Sequence, residues 1–237
     1  LLSGNGGNNF LVGGIGLAIA DYSNLPLNFG FNVFVASLVP GSNGKVTVNN
    51  HLGGVDTLIN IKGLAGTHGA DSLTGSGADE YFRGNGGDDT IDGGGGNDWV
   101  FYSNSPSSVN VDLSRGIASD GWDGQSGLLA LGGTDHLSNI ENGEGSNYND
   151  TLKGDGGDNM FSGLAGDDSI DGGGGSDTII YHGASAEYVI TKQANGSYTI
   201  RDTVSGRDGT DTVVNAESLA FTDKTVFLAN HAPIFTS

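Results

Sequence analysis

Acidic side chains recur every nine residues in two regions of the chain. In residues 66–101, here called the first block, four nonapeptide units follow one another as GTHGADSLT, GSGADEYFR, GNGGDDTID and GGGGNDWVF. Each unit begins with Gly, and its sixth place holds an acid, namely Asp71, Glu80, Asp89 or Asp98. Carboxylates at this regular spacing predict a repeated binding site for a cation.

A second block with the same pattern occupies residues 145–180 as GSNYNDTLK, GDGGDNMFS, GLAGDDSID and GGGGSDTII. Its sixth places hold Asp150, Asn159, Asp168 and Asp177. The eighth place is apolar in all eight units, with Leu73, Phe82, Ile91 and Val100 in the first block and Leu152, Phe161, Ile170 and Ile179 in the second. Two positions that keep their character through eight units indicate one folded repeat.

The unit combines a turn with a short strand. Six glycine-rich residues favour a tight turn, because Gly adopts positive φ without a Cβ clash. The last three residues, for example Thr90 to Asp92, favour a short strand that points its middle side chain to one side. Two units return the chain to its starting edge. Stacked coils of this kind predict a parallel solenoid with the eighth-place residues inside and the sixth-place carboxylates in a column.

Such a column of carboxylates predicts that the bound cation is calcium. Calcium accepts about six to eight oxygen ligands, which carboxylates and turn carbonyls supply together, whereas magnesium prefers a compact octahedron and retains water. Zinc favours His and Cys, but the chain has no Cys and its five His residues are scattered.

These two blocks resemble the RTX, or haemolysin-type, calcium-binding repeat, and residues 4–21 resemble it weakly. The resemblance implies an all-β fold built around a parallel β-roll, several bound Ca²⁺ ions, and a bacterial protein that is secreted, by the type I route, or displayed at the cell surface. It implies that turns 66–71 and 84–89, and turns 75–80 and 93–98, face each other across calcium. In the second block the implied pairs are 145–150 with 163–168, and 154–159 with 172–177.

The resemblance also implies the ligands. They are the sixth-place side chains together with carbonyls near the first and third places, which are Gly66, His68, Gly84, Gly86, Gly93, Gly95, Gly145, Asn147, Gly163, Ala165, Gly172 and Gly174. Glu80 is one methylene longer than Asp and Asn159 is neutral, so we expect weaker or altered sites in the columns that they join. We further expect Asp56 and Asp135 to supply half-sites that face Gly66–Asp71 and Gly145–Asp150.

A longer period of about 79 residues encloses the short one. GGTDHLSNI at 132–140 restates GGVDTLINI at 53–61, and GTDTVVNAE at 209–217 restates it again. The nonapeptide at 13–21 has Ala18 where the acid is expected. We therefore predict three segments: 1–65, a degenerate repeat with a β insert; 66–144, the first calcium block with its insert; and 145–237, the second block, a hairpin at Asn195-Gly196 and an exit linker.

Composition limits the partners. The chain has 28 acidic and 9 basic residues among its 237 residues, a formal net charge of -19, so nucleic acid is an unsuitable partner. No apolar run is long enough to span a bilayer. Without Cys, neither disulfides nor thiolate sites can hold the fold.

No catalytic motif is present: the sequence contains neither His-Glu-x-x-His nor Gly-x-Ser-x-Gly, so we do not expect an enzyme. We expect a calcium-folded structural module of a large extracellular, adhesin-like protein, with neighbouring domains in a longer chain. Ala232 to Phe235 resembles the start of a cadherin-like repeat. Two alternatives stay open: an accessory or secretion domain of a secreted polysaccharide-acting enzyme, protease or lipase, and a carbohydrate-binding module that meets extracellular polysaccharide or a cell surface.

Glycine and charge together predict that calcium controls folding. Forty-four Gly residues raise the entropy that is lost on folding, and the excess negative charge opposes a compact state. The metal-free chain is therefore expected to be largely disordered.

Overall fold

The computed structural model describes residues 1–3, 7–14, 16–24, 34–39, 46–49, 54–121 and 133–229. The exit segment beyond Ala229 lies outside these residues, and so do Gly132 and the segment 122–131 of the insert. Within the described ranges, the regular structure consists of short strands and one 3-10 turn at Ser185–Glu187. The predicted all-β class is confirmed.

Before the first block the chain forms β1 (Leu2–Ser3), β2 (Phe10–Val12), β3 (Ile19–Asp21), β4 (Phe34–Ser37), β5 (Val46–Asn49), β6 (Val55–Ile59) and β7 (Gly63–Ala65). The first block forms β8 (Asp71–Thr74), β9 (Tyr81–Arg83), β10 (Thr90–Asp92) and β11 (Trp99–Phe101). The insert after it forms β12 (Asn110–Asp112), β13 (Ile117–Ser119), β14 (Thr134–Ser138) and β15 (Asn142–Glu144).

The second block forms β16 (Thr151–Lys153), β17 (Met160–Ser162), β18 (Ser169–Asp171) and β19 (Thr178–Ile180). After it come β20 (Tyr188–Lys192), β21 (Tyr198–Asp202), β22 (Thr210–Val214), β23 (Ser218–Ala220) and β24 (Thr225–Phe227).

Two long sheets make up the roll. The first sheet runs β1-β3-β7-β9-β11-β15-β17-β19-β23-β24, and the second runs β4-β8-β10-β14-β13-β12-β16-β18-β22-β21-β20. Consecutive nonapeptides alternate between the two sheets, so each strand pairs in parallel with the strand two units later. The predicted stacking of every second unit is confirmed. A smaller sheet, β2-β6-β5, lies in the N-terminal segment.

The eighth-place side chains form a continuous apolar row between the two sheets, at the centre of the core. All eight are buried, from Leu73 to Ile179, because alternate side chains of a strand point to opposite faces and the eighth place is on the inner face. In the strand register, Leu73 pairs with Ile91 and Phe161 pairs with Ile179, so apolar side chains stack on one another along the roll axis.

The inserts replace nonapeptides in the second sheet. Strand β14 pairs in parallel with β10, β12 pairs in parallel with β16, and β13 bridges them in antiparallel pairing. The predicted hairpin at Asn195-Gly196 is confirmed by the β20–β21 pairing and by a φ of 94° at Gly196.

The first sheet crosses both predicted segment boundaries, since β7 pairs with β9 and β15 pairs with β17. The three segments therefore share their sheets, and their division into separate units stays a prediction.

Phe161→Ala tests the core. Phe161 has 0% exposure, so its loss should lower the free energy of unfolding in calcium by about 3–5 kcal/mol. Phe227 is 82% exposed, and Phe227→Ala should change that free energy by less than about 0.5 kcal/mol. Denaturant unfolding followed by circular dichroism measures both. Equal losses in the two variants would contradict the assigned inside and outside of the strands.

Candidate metal centre

The sixth-place side chains form hydrogen-bonded ladders along the roll. In each step, the backbone N–H of one sixth-place residue donates to the sixth-place carboxylate one coil later. The Asp71 N–H donates to Asp89 Oδ1 at 2.7 Å, and the Asp150 N–H donates to Asp168 Oδ1 at 2.8 Å. The stacking of carboxylates that the nine-residue spacing predicts is present in the structure.

Each ladder gains a third member from an insert. The Asp89 N–H donates to Asp135 Oδ1 at 3.1 Å, and the Asp98 N–H donates to Glu141 Oε2 at 2.8 Å. In the second block, the Asp168 N–H donates to Asp211 Oδ1 at 3.0 Å and the Asp177 N–H to Glu217 Oε2 at 2.7 Å. The four ladders are Asp71–Asp89–Asp135, Glu80–Asp98–Glu141, Asp150–Asp168–Asp211 and Asn159–Asp177–Glu217.

The structure corrects the expected positions of Asp56 and Asp135. Asp135 lies on the Asp89 side instead of facing Gly145–Asp150, because β14 continues the second sheet from β10. Asp150 is instead approached by Val109, whose N–H donates to Asp150 Oδ1 at 2.8 Å. Asp56 accepts the Asn9 N–H at 2.9 Å, so it extends the N-terminal unit and does not face Gly66–Asp71.

The turns have two forms, which differ at the second place of the unit. In the first coil of each block this residue donates its N–H to the acid or amide of its own turn: Thr67 to Asp71, Ser76 to Glu80, Ser146 to Asp150 and Asp155 to Asn159. In the second coil the second-place residue has a positive φ instead, at Asn85, Gly94, Leu164 and Gly173. These two forms are called here the closed turn and the open turn.

Open turns leave a buried carboxylate oxygen without a partner. Among the described residues, seven buried side-chain atoms lack a hydrogen-bond partner, and four of them are the Oδ2 atoms of Asp89, Asp98, Asp168 and Asp177. These are the middle members of the four ladders. An unpaired buried polar atom is costly, so four equivalent ones at four equivalent positions point to a missing positive partner.

Burial makes these carboxylates hard to ionise without such a partner. Desolvation, followed by the nearby charges of Asp135 and Asp71, raises the pKa of Asp89 to about 10. Burial also raises the pKa of Asp168 to about 8, of Asp98 to about 7 and of Asp177 to about 6. A cation with full charge would reverse this effect by favouring the ionised form.

The first-place glycines leave room beside these oxygens. A Cβ on Gly84 would overlap Asp89 Oδ2, and one on Gly163 would overlap Asp168 Oδ2. First-place glycines are buried in both blocks, whereas third-place residues range from buried Gly86, through half-buried His68 and Ala165, to exposed Gly95, Asn147 and Gly174.

The donor set fits a hard cation that takes oxygen ligands. Across the described ranges, no three His, Cys, Asp or Glu side chains gather into a side-chain-only metal cluster. A cation held in an open turn would therefore use one or two carboxylates together with backbone carbonyls or water, as calcium does.

The two unusual sixth-place residues have local explanations. Glu80 reaches back to Ser76 with both carboxylate oxygens, so its extra methylene is used inside a closed turn. Asn159 donates its Nδ2 to the Glu141 carbonyl at 2.7 Å. A carboxylate at that position would lose this contact, so Asn159 joins the end of one ladder to the start of the next.

Sequence reasoning did not assign Asp211, Glu141 or Glu217 to the ladders. Asp211 lies in GTDTVVNAE, the third copy of the motif that contains Asp56 and Asp135. Glu141 and Glu217 each follow the motif acid by six residues, a spacing that the nine-residue period does not include.

Comparison with known proteins agrees with this geometry. The family model for the RTX calcium-binding nonapeptide repeat matches the chain in four copies, at residues 1–16, 74–104 and 144–179. A search of curated proteins found no match. In the portion of the chain that the structure describes, no helix is long and apolar enough to cross a membrane.

The raised carboxylate pKa values predict that acid promotes folding of the metal-free chain. Asp has an ordinary pKa of 3.8, and folding raises it to about 8 at Asp168 and about 10 at Asp89. The folded state therefore binds more protons, and its stability falls as pH rises from the ordinary value through the raised ones. In chelator, β-structure measured by circular dichroism should increase between about pH 8 and about pH 5. A loss of β-structure over that range would contradict the burial of these acids.

Proposed function

We propose that this chain, which contains RTX calcium-binding nonapeptide repeats, is a calcium-folded structural module of a large extracellular bacterial protein of the adhesin type. The observation that carries the proposal is the set of four unpartnered Oδ2 atoms in the open turns. Each is the middle of a three-member ladder and has at least one neighbouring carboxylate, so a bound calcium would neutralise a position of like-charge repulsion.

Calcium supplies the missing positive charge when bound, and the chain's residues do the rest. The open turns hold their acids through the Oδ1 hydrogen bonds of the ladder, which leaves Oδ2 for the ion. The first-place glycines keep that space free of side chains. Binding to the folded form alone stabilises it by about 1.4 kcal/mol per site at ten times the dissociation constant.

The shape of the fold supports a structural role. Both long sheets run through the two blocks and the inserts, so stacked coils make one continuous roll. Extracellular calcium modules are tuned to about 0.1–1 mM. A roll that folds only in that range stays unfolded during export from the cell and becomes rigid outside it.

A calcium titration of Asp168→Asn against the parent chain tests the proposal. The parent chain should gain β-structure in far-ultraviolet circular dichroism as calcium rises towards about 1 mM. Asp168→Asn keeps an oxygen that can accept the Asp150 N–H but loses one carboxylate charge at an open turn. Its midpoint should move to higher calcium, and its calcium-dependent rise in melting temperature should shrink.

Asp167→Asn is the matched control. Asp167 is the exposed neighbour of Asp168, and its Oδ1 accepts the Thr210 N–H at 2.8 Å. This variant removes the same charge without touching an open-turn oxygen, so its midpoint should stay close to that of the parent chain. Full β-structure of the parent chain in chelator at neutral pH would refute the proposal, as would equal shifts in the two variants.

Carbohydrate binding is a second candidate, favoured by an aromatic row on the outer side of the first sheet. Phe101 stacks on Trp99 and on Tyr81, with ring centroids 5.8 Å apart in both pairs. All three rings are half-buried, and the strands β12, β13 and β14 of the following insert join the second sheet instead of this one. Exposed edges of such rings offer apolar contact to sugar rings.

A glycan array probed in calcium tests this second candidate. Binding should appear with the folded chain, vanish in chelator, and fall at least tenfold in Trp99→Ala. Phe10→Ala, which removes an exposed aromatic ring from the N-terminal segment, serves as the control. If Trp99→Ala binds as well as the parent chain, or no glycan is retained in calcium, the aromatic row has no such role.

A further inference from the structure

The inserts contain short copies of a nonapeptide turn. Asn139-Ile140-Glu141 follows β14, and Asn215-Ala216-Glu217 follows β22. Each triplet leads into a strand of the first sheet, β15 or β23, which pairs with the last strand of the preceding block. Each triplet therefore lies where a regular repeat would place the six-residue turn before the next strand of the first sheet.

The glutamate of each triplet replaces the sixth-place acid. Glu141 Oε2 accepts the Asp98 N–H at 2.8 Å, and Glu217 Oε2 accepts the Asp177 N–H at 2.7 Å. Within the blocks, the carboxylates of Asp98 and Asp177 have the same role in the preceding step of the ladder, where they accept the N–H of Glu80 and Asn159.

The asparagine of each triplet replaces the first-place glycine carbonyl. In a regular step, a Cβ on Gly75 would overlap the Gly93 carbonyl oxygen and Glu80 Oε2, so these two oxygens face one small space. At the end of the block, a Cβ on Gly93 would overlap the Asn139 carbonyl oxygen and approach Asp98 Oδ2. The insert carbonyl has taken the position of the glycine carbonyl.

The same replacement occurs in the second block. A Cβ on Gly172 would overlap the Asn215 carbonyl oxygen and approach Asp177 Oδ2. Asn139 and Asn215 have φ values of 51° and 49°, and their side chains donate to Asp92 Oδ1 and Asp171 Oδ1 at 2.7 Å. These contacts fix the left-handed residue that turns its carbonyl towards the block.

An unpartnered oxygen points into each of these spaces. Asp98 and Asp177 are 0% and 1% exposed, and their Oδ2 atoms have no hydrogen-bond partner. Glu141 also borders a cavity of about 200 Å³ that is lined by Asn139 and Asp155, which gives a cation room to keep bound water.

The N-terminal copy lacks both charges at the equivalent positions. Its triplet is Asn60-Ile61-Lys62, and the turn that it follows has Ala18 in place of the acid. A Cβ on Gly13 would overlap the Asn60 carbonyl oxygen and come close to the Ala18 side chain. The backbone replacement is therefore kept where the carboxylates are absent, and Lys62 brings a positive charge of its own.

We propose that the Asn-x-Glu triplets at 139–141 and 215–217 complete the calcium sites of two of the four open turns, with Asp98 and Asp177 as the facing ligands. Each site is half repeat and half insert, and the triplet stands in for a full glycine-rich turn. The Asn60-Ile61-Lys62 triplet forms no such site. This inference rests on the proposed calcium-dependent function and assigns insert residues to two of its sites.

Calcium counting by native mass spectrometry and flow dialysis tests the inference on the full chain. Glu141→Gln and Glu217→Gln should each bind one ion fewer than the parent chain, and the double variant two fewer. Gln keeps an oxygen that accepts the N–H of the ladder, so the fold should be retained in saturating calcium, which circular dichroism checks. Glu144→Gln is the control: this half-buried carboxylate lies near Ser103 and Arg83, and the ion count should not change.

A gain-of-site variant provides an independent arm. Ala18→Asp with Lys62→Glu restores both carboxylates around the Asn60 carbonyl, so the double variant should bind one ion more than the parent chain. This arm decides the matter if a Glu→Gln variant fails to fold. Counts equal to the parent chain in both arms would overturn the triplet sites while leaving calcium binding by the blocks intact. A parent chain that binds no calcium at millimolar concentration would instead overturn the proposed function itself.

Discussion

Stacked, buried carboxylates are the constraint on which this structure depends. Two unit charges about 4 Å apart repel by about 4 kcal/mol at the effective dielectric of a protein surface, and more where water is excluded. The roll places three acids in sequence at Asp71, Asp89 and Asp135, and all three are buried. Protons or cations that reduce the charge at these positions therefore stabilise the fold.

In the middle member of each ladder, the two carboxylate oxygens have different roles. One oxygen accepts a backbone N–H and sets the stacking of the coils, and the other faces the turn. Where the turn is closed, the second oxygen is satisfied within the unit, as Thr67 does for Asp71. Where the ladder ends at Asp135, the Tyr102 hydroxyl donates to it at 2.7 Å. Among the sixth-place acids, those of the open turns have an oxygen without a hydrogen-bond partner, so the backbone conformation at the second place determines which of these acids has an oxygen available to a cation.

The regular portion of this fold could be predicted from the sequence because each place of the nine-residue repeat holds one kind of residue with one structural role. An apolar eighth place has to point inward from a three-residue strand, and the alternation of sheets then fixes the partners of Leu73 and Phe161. The route of the inserts could not be predicted, because β12 and β13 have no periodic signal and pair with strands from different blocks. That routing places Asp135 beside Asp89 instead of before Gly145. The role of Asn159 could not be predicted for a related reason: its contact with the Glu141 carbonyl depends on a segment whose position the repeat does not specify.

The N-terminal copy keeps the backbone framework of the later copies but lacks some of their acidic side chains. Asn9 donates its N–H to Asp56, and Ala20 pairs with Leu64 in the first sheet, as the equivalent residues do in the later copies. Yet Ala18 and Lys62 replace the acids that would make this end of the roll depend on calcium. Coil stacking thus comes from strand pairing and from the apolar row of eighth-place side chains, which are common to all three copies. The proposed dependence on calcium would come from the few carboxylates added to that framework.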